Sequence, residues 1–201
     1  MDTQGLETYL QNQNESPTLD YKAACIWDVT RMAKDILALS NVQDGGLLII
    51  GIEDKTFNRQ GITPAQRDSY KIDMMKDQMT SFADPHVNFS VDFPTDNDGK
   101  QYACIRVEPF EEIPVICRKD SADTKAGVIY YRNRNRRVES AAVSNSYDMR
   151  EIVEIATIRM MQKKQRIGFF ADSGLAKQQN EVEADTIADA RAKLNEELEG
   201  L

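Results

Sequence analysis

Histidine is almost missing from this chain. Among 201 residues there is one, His86, beside three cysteines, Cys25, Cys104 and Cys117, with no CxxC spacing. That scarcity leaves no recognisable zinc site, because structural zinc takes four Cys or His ligands at short spacings. An odd set of unpaired thiols reads as reduced core or strand residues of a cytosolic protein. No apolar run reaches the length of a membrane span, so none is expected. The opening residues Met1-Asp-Thr-Gln-Gly-Leu-Glu7 lack the basic and apolar stretches of a secretory signal, and no export is expected either. No G-x-x-x-x-G-K-[ST] loop is present, which leaves Gly45-Gly46 as the only residues that speak for a nucleotide site.

What is present is 41% apolar content, enough for one sizeable core and a short appendage. The formal charge of −8 argues against tight, indiscriminate binding to nucleic acid, which depends on Lys and Arg neutralising phosphates. The charge is unevenly spread. Residues 172–201 carry a net −5, which leaves −3 for the first 171. Within that body Arg132, Arg134, Arg136 and Arg137 stand beside Tyr130 and Tyr131, a basic and aromatic stretch suited to phosphate contacts and base stacking. The same residues also read as a solvated hairpin whose charges pair with the acidic tail.

Periodicity predicts the elements. Leu6, Tyr9 and Leu10 suggest a short opening helix, followed by a turn at Ser16-Pro17 and an extended stretch from Leu19 to Lys22. Asp28 is placed to cap a helix with Met32, Ile36 and Leu39 on one face, stopped by Asn41 and Asp44-Gly45-Gly46. Leu47 to Ile50 reads as a strand buried on both faces. One helix is expected from Pro64, with Ile72, Met75, Met79 and Phe82 as its stripe. Val87, Phe89, Val91 and Phe93 alternate as a strand, and Asp96-Asn-Asp-Gly99 turns the chain into a second ending at Val107. Pro114–Cys117 and Val128–Tyr131 are expected to complete the same sheet. A long helix capped by Asn145 or Ser146 follows, with Met149, Ile152, Val153, Ala156 and Met160 as its buried stripe. The fold class is α+β, a mixed, largely antiparallel sheet flanked by helices. The domains expected are 1–158 and a helical extension, 159–201.

Two acidic motifs carry the chemistry. Glu15-Ser-Pro-Thr-Leu-Asp20-Tyr-Lys22 and Gly45-Gly-Leu-Leu-Ile-Ile-Gly-Ile-Glu53-Asp54 supply carboxylates that could hold a hard divalent cation, with Lys22 to neutralise charge on a phosphate. Spacing alone leaves the other reading open, in which these are surface charges in a chain of 33 acidic residues.

Glu15, Asp20-Tyr21-Lys22, Ala38-Leu-Ser-Asn41, Gly45-Gly46, Gly51-Ile52-Glu53-Asp54, Gly61-Ile62, Ile113-Pro114-Val115 and Tyr130-Tyr131-Arg132 follow one another along the chain. That order of landmarks resembles the AlbA_2 domain of Schlafen proteins. The resemblance implies nucleic-acid binding and, as in several Schlafen members, cleavage of RNA, with phage defence as one setting for it. It places a Mg²⁺ or Mn²⁺ site on Glu15, Asp20 and Asp54, with Lys22 as the fourth catalytic residue. Asp20 departs from the Glu usual in the family, a side chain one methylene shorter. A non-catalytic nucleic-acid-binding module is the alternative. Ile155, Ile158, Phe169 and Phe170, with the Ile187 to Leu201 stripe, further lead us to expect a homodimer or higher homo-oligomer.

Overall fold

The computed structural model describes residues 1–53, 56–133 and 138–168. The chain divides into two compact units, Met1–Thr157 and Ile158–Leu201.

Alternation along four strands builds the first unit. Helix α1 (Thr3–Asn12), capped by Asp2, leads to strand β1 (Leu19–Lys22), helix α2 (Val29–Ser40) and strand β2 (Gly46–Ile50). Strands β3 (Ala83–Asp84), β4 (Phe89–Asp92) and β5 (Ala103–Val107) follow the short helices α3 (Pro64–Arg67) and α4 (Ile72–Thr80). The main sheet has the order β1-β2-β5-β4, with β1 parallel to β2 and the other pairs antiparallel. This is the mixed, mostly antiparallel α+β architecture that the pattern predicts.

Because side chains alternate between faces, the register sorts the core into two layers. Leu48 and Ile50 of β2 and Ile105 of β5 meet Met32, Ile36 and Leu39 of α2 and Met75 and Met79 of α4. On the reverse face Leu19, Tyr21, Leu47 and Ile49 meet Leu6 and Leu10 of α1. Each large side chain so buried contributes about 1.5–3 kcal/mol. Asp28 caps α2 by accepting from the Thr30 N–H, as its position suggests.

Three expectations are corrected. The helix expected from Pro64 is two helices, because Ser69 accepts from the Trp27 N–H and Tyr70 turns inward to donate to the Cys25 carbonyl. Strand β6 (Ile116–Cys117) pairs with β3, and β7 (Tyr130–Arg132) pairs with β8 (Ser140–Ala142), so neither joins the main sheet. The physical reason is Asn41, fully buried at the end of α2. Its Nδ2 donates to the carbonyls of Val115 and Tyr130, and its Oδ1 accepts from the Val115 N–H at 2.7 Å. These bonds hold both segments over α2 and away from a sheet edge.

The third correction concerns α5 (Ser146–Arg166). Of its predicted stripe Ile152 is fully buried and Ala156 packs partly against the core, whereas Met149, Val153 and Met160 are exposed. Ile155, read as lying off the stripe, packs partly against the core. Asn145 caps the helix by accepting from the Asp148 N–H at 2.9 Å. Among the described residues no helix is long and apolar enough to cross a membrane.

Candidate functional site

Strand β1 sends Asp20 and Lys22 to the same face as Leu48 and Ile50, the face covered by α2 and the β7–β8 hairpin. There the charged groups form one cluster. Lys22 Nζ lies 2.9 Å from Asp20 Oδ2 and 3.0 Å from Asp35 Oδ2, a carboxylate presented by α2. From β7, Arg132 Nη1 donates to Asp20 Oδ1 at 3.1 Å and to Ser140 Oγ at 3.2 Å. Its Nη2 donates to the carbonyls of Ser16 and Leu19 at 3.3 and 3.2 Å. Two acids and two bases therefore balance where water is largely excluded, as buried charge requires.

Sequence reading places Arg132 on a nucleic-acid surface, and the structure corrects this. Arg132 is 1% exposed, the largest fully buried side chain among the described residues. Tyr130 and Tyr131 are corrected with it, for both are buried at 5% exposure and cannot stack on a base. The Tyr130 hydroxyl accepts from the Lys125 N–H, and the Tyr131 hydroxyl donates to Glu151. Arg134, Arg136 and Arg137 lie outside the described residues. Asp35 is the member of the cluster that sequence reasoning misses. Its signal was an acid among Met32, Ile36 and Leu39 on the buried face of α2.

Glu15 is positioned by a tight turn. Ser16 and Leu19 exchange N–H···O bonds at 3.1 Å, and that antiparallel bridge leads the preceding residue, Glu15, back along β1. Half-buried there, it lines a groove of about 580 Å³ with Thr18, Gly46, Arg106 and Glu108. Asp54 lies outside the described residues. Among the described residues, no three His, Cys, Asp or Glu side chains lie close enough to share an ion. Both oxygens of Asp20 already face cations, so these residues by themselves do not fit a divalent metal, and Asp20 could ligate one only if Lys22 or Arg132 gave way.

Gly45 and Gly46 have a packing explanation independent of any nucleotide. Gly45 has φ +67°, and a Cβ there would sit 2.2 Å from the Val107 carbonyl oxygen. At Gly46 a Cβ would meet Leu39 Cδ2 at 2.4 Å and the Thr18 carbonyl at 2.8 Å.

The cluster predicts an alkaline limit. Burial would lower the pKa of the Lys22 ammonium, but the charges and hydrogen bonds of Asp20 and Asp35 outweigh it and hold the pKa well above the ordinary lysine value. Burial, and after it the Glu15 carboxylate, pushes the Tyr21 phenol up to about 12. Both folded-state values exceed the unfolded ones, so the stability they contribute is complete below about pH 10 and is lost as pH rises through and beyond that value. Urea midpoints measured between about pH 9 and pH 12 should fall steadily. A flat profile would contradict the cluster.

Two solved structures are similar to this chain at low identity. One is the DIP2311 protein of Corynebacterium diphtheriae, 16% identical with a TM-score of 0.48, the match covering 73% of this chain and 27% of that one. The chain thus spans about a quarter of that protein. The other is the N-terminal domain of a Nitrosomonas europaea protein named for its relation to the ATP-dependent DNA helicase RecG, 18% identical with a TM-score of 0.45, covering 73% of this chain and 97% of that one. No curated protein sequence matches the chain. The sequence pattern that defines the family described as Schlafen, AlbA_2 matches residues 15–141, from the Glu15 turn through the buried Arg132 to β8. The match takes in the acidic turn, the Asn41 tie and Arg132, and the chain belongs to the Schlafen AlbA_2 family.

Proposed function

We propose that this chain is a nucleic-acid-binding module, with RNA preferred to DNA, whose phosphate contacts come from Arg134, Arg136 and Arg137. The observation that carries the reading is the family match over residues 15–141, which includes the connection from 133 to 139. Arg132 itself, tied to Asp20 and to the Ser16 and Leu19 carbonyls, ends β7 and is not one of those contacts. That connection holds three arginines in a body whose net charge is only −3, and family membership supports the same class of ligand. Reversing Arg134 and Arg136 to Glu should weaken binding of a labelled single-stranded RNA. It should also flatten the dependence of log K on log salt by about 0.7 for each phosphate no longer neutralised. Unchanged affinity and slope would remove the connection from the interface.

Metal-dependent RNA cleavage at Glu15, Asp20 and Asp54, with Lys22, is the second reading. The family match, which begins at Glu15, is what favours it, and it requires Lys22 or Arg132 to release Asp20, and Asp54 to complete the ligand set. Incubating end-labelled RNA and DNA with Mg²⁺ or Mn²⁺ and with chelator separates the two. Cleavage abolished by chelator and by Asp54→Asn supports the enzyme, and intact RNA under all conditions leaves the binding module.

We extend the proposal to a homodimer or higher homo-oligomer. Within the Ile158–Leu201 unit, Ile158 and Met161 are 49% and 53% exposed, apolar surface that a second copy could cover. Phe169, Phe170 and the Ile187 to Leu201 stripe lie outside the described residues. Light scattering at micromolar concentration should give at least a dimer, reduced in order when the chain ends at Asp172. A monomer in both cases would refute it.

A further inference from the structure

A second cavity, of about 270 Å³, opens on the side of the first unit held by Asn41. Its inner wall is apolar, formed by Val87, Phe110 and Val115, all buried. Its rim carries Glu108, Glu111 and Glu112. Among the described residues no lysine or arginine lines it, and His86 is the one basic side chain there. One lining residue is apolar and open to solvent, Ile113 at 54% exposure.

From these features we infer a docking site for a peptide segment that presents one large apolar side chain flanked by lysine or arginine. Size, shape and charge select that occupant. A cavity just below the roughly 300–1,000 Å³ of drug-sized pockets takes a single anchoring side chain. Exposed Ile113 gives the peptide apolar surface beside the anchor. Glu108 and Glu111 favour cationic flanks and repel phosphate, which separates this surface from the proposed nucleic-acid interface. The wall is also preformed. Glu108 N–H donates to the Asn88 carbonyl at 2.9 Å, Phe110 N–H to the Ser40 carbonyl at 2.8 Å, and Val115 N–H to Asn41 Oδ1 at 2.7 Å. Little ordering is left to offset affinity when the anchor enters. Asn41 and Val115, landmarks that the acidic site does not use, thereby acquire a role in holding this cavity open.

The test uses the full chain and three labelled hexapeptides, Lys-Lys-Leu-Phe-Lys-Lys, Glu-Glu-Leu-Phe-Glu-Glu and Lys-Lys-Gly-Gly-Lys-Lys, at about 0.1 M salt. Fluorescence anisotropy should give the first a Kd below about 100 µM and the others at least about tenfold weaker binding. Amide shifts should concentrate at residues 85–88 and 108–116. Glu108→Lys with Glu111→Lys, both surface changes, should weaken the first peptide at least about tenfold while the melting temperature holds. Ile113→Ser should weaken it without altering the salt dependence. The proposal is overturned if the Gly-Gly peptide binds within about threefold of the Leu-Phe peptide, which would mean charge attraction only. It is equally overturned if the acidic peptide binds as well, if free phenethylamine competes as strongly as the peptide, or if the shifts fall elsewhere.

Discussion

Replacing Arg132 by methionine is expected to destabilise the protein by about 3–5 kcal/mol, the cost of breaking a buried ion pair from one side. Asp20, 4% exposed, would keep only Lys22 against its charge, and the Ser16 and Leu19 carbonyls would each lose a donor. For a unit of this size each kcal/mol moves the melting temperature by about 2–4 °C, so a fall on the order of 10 °C should be seen by circular dichroism. Lysine should not substitute, because one ammonium cannot reproduce the four hydrogen bonds that the planar guanidinium makes to Asp20, Ser140, Ser16 and Leu19. Combining Arg132→Met with Asp20→Leu should recover at least about 1 kcal/mol relative to the sum of the single changes. A single change costing under about 1 kcal/mol would mean that water reaches the pair.

Gly45→Ala should cost about 3 kcal/mol or more, and its comparison with Gly99→Ala shows why. Both glycines have positive φ, +67° and +82°, so both substitutions incur the strain of a left-handed residue, about 1–2 kcal/mol. They differ in surroundings. A Cβ on Gly99 meets nothing within 4 Å, whereas one on Gly45 would overlap the Val107 carbonyl and approach Pro109 at 2.9 Å, forcing the end of β5 away from the turn. Urea unfolding should therefore separate the two variants by at least about 1 kcal/mol at an unchanged m-value. Equal costs would show that the turn yields and that the Gly-Gly pair serves something other than close packing.

Much of the frame was legible because it is local. Leu47 to Ile50 is an unbroken apolar run, Asp28 stands at the start of an apolar stripe, and Asn41 and Gly45 stand at its end, so β2 and α2 follow from spacing alone. Asp20 and Lys22, two apart on a strand, were bound to share a face. What they share it with was not legible. Tyr130, Tyr131 and Arg132 look the same in sequence whether they face water or the core, and the partner that decides, Asp20, lies 112 residues earlier. The break after Arg67 was hidden for the same reason, since Ser69 answers Trp27 and Tyr70 answers Cys25, more than 40 residues away. Asp35 could have been found by treating an acid on an apolar helix face as a question about its partner.

The 112-residue span of the pair between Asp20 and Arg132 also bears on how the chain is made. Strands β1 and β2 and helix α2 leave the ribosome before β7, and their apolar surfaces can collapse as soon as they emerge. Asp20, however, sits on the very face that α2 must cover, and its guanidinium partner is synthesised 112 residues later. Until then the nascent sheet must keep one corner wet, with Lys22 and Asp35 as interim company for the carboxylate. Closure of that corner waits on β7, so a ribosome paused before residue 132 should hold an open, protease-sensitive edge that seals when the arginine arrives.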